Sequence, residues 1–170
     1  LFWYAEGNYF YAVIDENGKP DPTLRPNQLF AISLPFALVE GERANTVLKI
    51  VEEKLYTPVG LRSLPAMDVH YIHQYGGDQW HRDSAYHEGT VWSWLLGAYV
   101  DAMMRSEAGS RKPDALKVIE NFHYHLNEGC IGSVSEIFDA DAPHQPRGCV
   151  AQAWGVAEVL RVMKDHGLYS

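Results

Sequence analysis

The sequence predicts a mainly α-helical protein with a short β-hairpin-like opening segment. Residues 44–55 and 115–126 carry apolar side chains at the i, i+3, i+4 and i+7 positions of amphipathic helices. Between them, residues 90–103 are apolar on most sides, which favours a central, buried helix. At 170 residues the chain is long enough for one sizeable core, so we treat residues 1–170 as one unit.

The N-terminal part of the chain predicts β-structure followed by a helix. Residues 1–14 are rich in aromatic and β-branched side chains, and residues 15–19 are typical of a turn, so we expect a hairpin there. Irregular loop follows over residues 20–26. Residues 27–39 are apolar nearly all round, which predicts a buried helix that Pro35 kinks or splits.

Long polar loops separate the remaining helices. Residues 57–62 predict a short strand, and residues 65–88 form a polar, aromatic connection of a length that is usually functional. Residues 129–148 are a second loop, and the last helix runs over about 150–164 before Gly167 closes it. About five helices result, with the long loops at alternate junctions and therefore at one end of the helical array.

Charge and composition exclude several classes of partner. The net charge of −8 argues against nucleic acid and against an anionic membrane surface, both of which require clustered Lys and Arg. We find no apolar run of membrane-spanning length and no signal segment, so we expect a cytoplasmic protein. We read Cys130 and Cys149 as reduced thiols, with a disulfide between them as the alternative. The two-residue offset between His123 and His125 points them to different faces of a helix, so this pair is a poor chelate, and we expect no metal and no cofactor.

Aromatic and polar residues alternate in two segments that predict a ligand site. Residues 86–94 place a polar, aromatic rim before the apolar helix, and residues 135–139 place a carboxylate before the helix that carries Trp154. Ring faces cover the apolar faces of a sugar, while carboxylates, guanidinium groups and amides bind its hydroxyls. We therefore expect a carbohydrate pocket built from three loops, residues 25–28, 71–88 and 132–147.

Five motifs follow one another along nearly the whole chain. They are RPNQ at 25–28, GLRSL at 60–64, RDSAYHEGTVWSWLLG at 82–97, GCIGSVSEIFDADAP at 129–143 and GCVAQAWGVAEVLR at 148–161. Together they resemble the C-terminal part of glycogen debranching enzymes, the amylo-α-1,6-glucosidase domain. The resemblance implies an (α/α)6 toroid like that of glucoamylases, of which this chain is an incomplete, C-terminal segment.

The family implies hydrolysis of α-1,6-glucosidic branch stubs by an inverting mechanism. A carboxylic acid protonates the leaving oxygen while a carboxylate on the opposite side of the sugar deprotonates water. Glu136 matches the general base, and the matching acid is an Asp upstream of this chain. Local sequence alone favours reading Glu136 as an acidic residue near a helix start, and the resemblance to the family reverses that preference. A chain that holds one carboxylate of the pair is expected to hydrolyse poorly by itself.

The chain departs from the family pattern at three positions. Glu88 stands where the family usually has Gln, and Ser93 stands where it has Pro between two tryptophans. Ala12 replaces a common Asp, so any sugar contact of that Asp is lost here. These changes leave open which carboxylate acts.

Polar candidates for sugar binding occur in two of the motifs. Arg25, Asn27 and Gln28 either line the glucose pocket or, for the two amides, cap a helix start. The adjacent Arg82 and Asp83 form either a surface ion pair or a fork that donates to sugar hydroxyls.

Ring-bearing candidates also have two readings each. His87 is either a packed, hydrogen-bonded histidine or a ligand for a glucose hydroxyl. Trp92 and Trp154 fall in apolar helical stripes, so they pack in the core with an edge left for the pocket. Trp80 lies in a polar loop outside any core stripe and is the better candidate for stacking on sugar.

The resemblance also implies partners. They are an α-glucan or oligosaccharide substrate and the missing N-terminal part of the barrel, and unpaired apolar faces favour self-association. One alternative keeps the barrel and changes the substrate to trehalose, a mannosyl compound or a glucosylated glycan. A second alternative is a non-catalytic carbohydrate-binding or assembly module.

Overall fold

Two short antiparallel hairpins open the chain in the computed structural model, which describes residues 1–106 and 110–169. Asp15 closes the second hairpin, because its carboxylate accepts hydrogen bonds from the N–H groups of Asn17 and Lys19. The hairpin expected at this end is therefore confirmed, although there are two. Their strands are β1 (Trp3–Tyr4) with β2 (Tyr9–Phe10), and β3 (Val13–Ile14) with β4 (Pro20–Asp21).

Most of the core is helical. Helix α4 is buried along nearly all of its length, and α1, α2, α5 and α6 pack around it. Its apolar character on most sides explains this central position. The six α-helices of the described residues are α1 (Phe30–Ser33), α2 (Gly41–Lys54), α3 (Gln79–Ala85), α4 (Leu95–Arg105), α5 (Lys112–His125) and α6 (Ala153–His166).

The amphipathic stripes predict α2 and α5 correctly, and the last helix expected over about 150–164 is α6. Helices α2 and α5 bury the apolar face and expose the polar one, whereas α6 buries Gly155 and Val162 and leaves Leu160 60% exposed. Helix α5 has Pro113 in its first turn, where the missing N–H costs nothing. Gly167 caps α6 with a φ of 60°, as its position in the sequence predicts.

The prediction of a long buried helix over residues 27–39 is wrong. A 3₁₀ turn over Pro26–Leu29 leads into α1, which ends before Pro35. Pro35 lacks an N–H and restricts Leu34 to extended backbone, so the helix stops instead of bending. Phe36 follows in irregular chain and is 90% exposed.

A five-stranded antiparallel sheet takes in the segment 57–62, where a strand was expected and two short ones form, and it also crosses segments that we expected to be loop or helix. Thr90 does not cap α4, since its hydroxyl donates to the carbonyl of Ala85 and the next two residues form a strand. These strands are too short for their alternation to be visible in the sequence. In order across the sheet they are β5 (Tyr56–Thr57), β6 (Gly60–Arg62), β7 (Val91–Trp92), β8 (Ile137–Phe138) and β9 (Pro146–Arg147).

The whole is a mixed helical fold with a small sheet, and not a clear (α/α)6 toroid. The helices surround α4 instead of forming a ring of paired hairpins. Among the described residues, none of the helices is both long and apolar enough to cross a bilayer.

Candidate active site

Two donors hold the carboxylate of Glu136, which lies just before β8 and is half-buried. The hydroxyl of Tyr86 donates to Oε1 at 2.6 Å, and the N–H of Cys149 donates to Oε2 at 3.0 Å. Burial and this hydrogen bond raise the pKa of Tyr86, so its hydroxyl keeps the proton that it donates. A carboxylate has about four lone-pair positions, and the two hydrogen bonds use one on each oxygen of Glu136. Each oxygen therefore retains one position that can accept a further hydrogen bond.

Gly148 leaves the space that the carboxylate occupies. Its φ of 64° lies in the left-handed region that favours glycine. A side-chain Cβ at this position would collide with Oε2 of Glu136 and would lie 2.9 Å from Cγ1 of Ile137. The backbone of Glu136 is fixed beside it, since its N–H donates to the carbonyl of Cys149 at 2.9 Å. This arrangement therefore requires glycine at position 148.

A cavity of about 770 Å³ lies beside Glu136 and has walls made of rings. Tyr86 belongs to this wall, whereas Glu136 does not line it, so the Tyr86 hydroxyl joins the carboxylate to the cavity. Polar groups at the cavity come from Asp21, Arg25, Asn27 and Ser63. The rings are those of Phe30, Tyr86, His87, Trp92, Trp94 and Trp154.

The rings are held by stacking on one another. His87 stacks on Trp92 with centroids 5.1 Å apart and planes 5° apart. Trp94 stacks on Trp154 at 5.6 Å and on Phe30 at 5.7 Å. Trp92 is 6% exposed and Trp154 is 44% exposed, so Trp92 is mainly a core residue while Trp154 presents open ring surface. Such a rigid wall of ring faces is typical of a site for sugars.

The His87 ring stays neutral at neutral pH. Partial burial lowers its pKa, and the positive charge of Arg25 lowers it further. A neutral imidazole can both donate to and accept from a hydroxyl, whereas the charged form only donates.

Arg25 ties the cavity wall together. Its guanidinium donates to the carbonyls of Ser63, at 3.0 Å, and His87, and it forms an ion pair with Glu88 at 3.2 Å. These contacts direct much of its donor capacity into the protein. Glu88 is occupied by this ion pair, so its position in the structure favours a role in holding the loop.

The two amides next to Arg25 have different surroundings. Asn27 is exposed and lines the ring-walled cavity. Gln28 accepts a hydrogen bond from the N–H of Phe10 at 3.3 Å and donates to the carbonyl of Arg25 at 2.9 Å, so its amide holds the fold. It lines a neighbouring cavity of about 390 Å³ instead.

Three predicted residues lie away from the cavity. Helix α3 carries Trp80, Arg82 and Asp83, all exposed, and none of them lines the ring-walled cavity. Trp80 is 72% exposed and contacts His81 edge to face. Arg82 donates to the carbonyl of Gly77 at 2.6 Å. Their sugar contacts stay predictions.

The two longest predicted loops do meet. Tyr71 donates to the carboxylate of Asp141 at 2.7 Å, and the N–H of Tyr75 donates to Asp139 at 2.8 Å. Asp139 is buried and paired with Arg147 at 2.8 Å, and that ion pair raises the pKa of the guanidinium. The loops therefore form one structure just after the end of β8.

Sequence reasoning missed Tyr86, Gly148 and Cys149 as parts of the site. Tyr86 lies inside the motif at residues 82–97, but its bond to Glu136 joins residues fifty positions apart. Gly148 and Cys149 also stand in a recognised motif, and Gly148 carries the one local signal, a glycine at a chain reversal.

A carboxylate beside a ring-walled cavity with amide and guanidinium groups fits the class of carbohydrate-active proteins. A family model described as amylo-alpha-1,6-glucosidase matches residues 1–161. The chain therefore belongs to the amylo-α-1,6-glucosidase family. In an alignment 179 residues long, it is 27% identical to the glycogen debranching enzyme of Saccharomyces cerevisiae. That match covers 91% of this chain and 12% of the yeast protein, so the chain spans a small part of its relative.

Proposed function

We propose that this chain provides the general base of a glycoside hydrolase that removes α-1,6-glucosidic branch stubs from glycogen or a related α-glucan with inversion. The observation that carries the proposal is Glu136, held by Tyr86 and the Cys149 N–H with lone pairs left over, beside the ring-walled cavity. Membership of the amylo-α-1,6-glucosidase family supports the choice of substrate.

Glu136 takes a proton from water in the proposed step. The water oxygen attacks the anomeric carbon from the face opposite the leaving oxygen, and the glycosidic C–O bond breaks. A general acid protonates the leaving oxygen, so glucose leaves with inverted configuration and the glucan regains a free 6-hydroxyl. Tyr86 and the Cys149 N–H donate to the charged form of the carboxylate, which is the form that a base requires.

The general acid is proposed to come from another part of the natural protein. Inversion needs the two carboxyl groups roughly 6.5 to 9.5 Å apart, with water between one of them and the sugar. Hydrogen bonds from Thr23 lower the pKa of Asp21, so this cavity carboxylate stays ionised and is a poor acid. Glu88 is held in its ion pair with Arg25. We therefore expect residues 1–170 alone not to hydrolyse the substrate.

The test is Glu136→Gln in the natural protein that contains this chain. We expect hydrolysis of a maltooligosaccharide with one 6-linked α-glucosyl stub to fall at least about a thousandfold, because the amide cannot take a proton. Affinity, measured by calorimetry, changes little. Glu16→Gln, in the exposed turn of the second hairpin, is the control and keeps full activity. Near-normal turnover in Glu136→Gln would contradict the assignment.

A binding or assembly module is the second candidate. It is favoured by the absence of a suitable acid among Asp21 and Glu88, the two cavity-side carboxylates just described. Calorimetric titration with maltooligosaccharide, run beside an assay for released glucose, separates the two. Binding without release from the complete natural protein supports the module, and screening released sugars tests other α-glycosides.

A barrel partner is proposed for the exposed apolar segment after α1. Phe36 is 90% exposed and Leu38 is 81% exposed, which is unusual for large apolar side chains so close to a core. We propose that another part of the barrel covers them in the natural protein, and that a second copy covers them in the isolated chain.

A further inference from the structure

A fully buried histidine holds the backbone just before Glu136. His125, at the end of α5, is 2% exposed, and its Nε2 accepts a hydrogen bond from the N–H of Ser135 at 3.0 Å. Because a backbone N–H can only donate, Nε2 must be the unprotonated ring nitrogen. The other nitrogen, Nδ1, lies 3.3 Å from the carboxylate of Glu128. The ring also packs edge to face against Phe138 at 4.6 Å.

A fully buried serine holds the same segment from the other side. Ser93, between β7 and α4, is 0% exposed, and its hydroxyl lies 2.8 Å from the carbonyl oxygen of Ser135 and 3.1 Å from that of Glu136. Gly155 of α6 leaves room for this contact. A Cβ on Gly155 would lie 2.8 Å from Oγ of Ser93 and 3.0 Å from Cγ1 of Val134.

Both contacts act on the backbone alone. Neither His125 nor Ser93 lines the ring-walled cavity or bonds to the Glu136 carboxylate. Their bonds join the N–H of Ser135 to α5 and its carbonyl to the start of the central helix α4. A buried N–H and a buried carbonyl would otherwise be unsatisfied, which costs more than an exposed hydrogen bond contributes.

We propose that His125 and Ser93 are positioning residues that clamp the backbone of Ser135 and so aim the Glu136 carboxylate at Tyr86 and the cavity. The proposal rests on the proposed role of Glu136 as the base. A base works only when its oxygen is held within about 0.5 Å of the productive position, and buried supporting hydrogen bonds supply that precision. The two residues therefore affect the rate of the chemical step more than the binding of sugar.

The first test compares two substitutions of His125 in the natural protein that contains this chain. His125→Leu leaves the Ser135 N–H without an acceptor, and we expect kcat to fall about tenfold to a hundredfold with KM within about twofold. His125→Gln returns an acceptor to the site, and we expect it to recover most of the lost kcat. Ser93→Ala lowers kcat in the same way, and the double variant falls by less than the product because both residues hold the backbone of Ser135.

A matched control separates positioning from stability. Val118→Ala removes buried volume from the same helix α5, and its apolar side chain has no hydrogen bond to residues 134–136 to lose. It is expected to lower the melting temperature as much as His125→Leu does, while kcat stays unchanged. Equal loss of kcat in Val118→Ala and His125→Leu at equal stability, or no recovery in His125→Gln, overturns the proposal.

A second measurement does not depend on turnover. Amide hydrogen exchange of residues 134–137 is expected to speed up at least about tenfold in His125→Leu and Ser93→Ala, and to stay unchanged in Val118→Ala. Unchanged exchange in the two clamp variants overturns the proposal whatever the activity. Full activity of Glu136→Gln overturns the proposed function instead, and the exchange result distinguishes that failure from failure of the clamp.

Discussion

Arg82 and Tyr86 stand four residues apart in one motif, yet they belong to different parts of the molecule. Tyr86 is half-buried and bonded to Glu136, whereas Arg82 is exposed and bonded to Gly77 in its own turn. The chain changes environment at Ala85, which is fully buried at the end of α3 and bonded through its carbonyl to Thr90. Neighbours in a motif therefore share a site only where tertiary contacts carry the chain into it.

Among substitutions of the residues that contact Glu136, as Tyr86 does, Gly148→Ala is expected to lower activity most. The new Cβ takes the place of Oε2 of Glu136, and the left-handed backbone adds about 1–3 kcal/mol of strain. Hydrolysis by the natural protein should fall more than about a hundredfold.

Gly132→Ala is the matched control for Gly148→Ala. Gly132 has a φ of 74° but nothing within 4 Å of a Cβ, so the control shares the backbone strain without the collision. A stopped-flow or endpoint glucose assay, with the melting temperature of each variant, compares the two. Similar activity in both variants would show that the space beside Glu136 is not needed.

Tyr86→Phe is expected to have a smaller effect. Removing a hydrogen bond to a charged group costs about 1.5–3 kcal/mol, which corresponds to a fall in kcat of about tenfold to a hundredfold. Tyr75→Phe is the control, because its ring packs 5.8 Å from Tyr86 while its hydroxyl is not bonded to Glu136. If kcat is the same in both variants, Tyr86 does not support the carboxylate.

The smallest effects are expected from substituting two tryptophans, one at the cavity and one on the surface, and measuring the affinity for sugar. Trp154→Ala removes open ring surface from the cavity, and we expect affinity for maltooligosaccharide to weaken about tenfold, or about 1.4 kcal/mol. Trp80→Ala, on α3, is expected to change it less than about twofold. Calorimetry measures both, and a larger loss in Trp80→Ala would place a sugar contact on α3.

The sequence predicts the parts of the fold that local spacing determines. Helices α2 and α5 follow from apolar spacing, the end of α6 follows from Gly167, and the second opening hairpin lies where residues 15–19 indicate a turn. Strands β7, β8 and β9 are invisible because two residues show no period, and their pairing depends on partners far along the chain. The toroid was inferred from the family and is not clearly formed by these helices.

The candidate site was predictable to a similar degree. Glu136 was predicted because it stands in a recognised motif, and His87, Trp92 and Trp154 were predicted from their ring chemistry; all three rings line the cavity. Gln28 was expected at the pocket, but its amide is used by the backbone of Arg25 and Phe10. No local pattern reports that Tyr86, His125 and Ser93 meet residues 135–136.

The five strands β5 to β9 pair strictly in chain order, so each is joined to the next by a connection that stays outside the ladder. Residues added to the exposed irregular chain around Gly77, between β6 and β7, then cost little entropy, since closing a longer loop costs only about 0.6 kcal/mol per doubling. Segments added there leave the register of Trp92 with Ile137 intact. This architecture allows the surroundings of the pocket to diversify while the reactive centre stays in place.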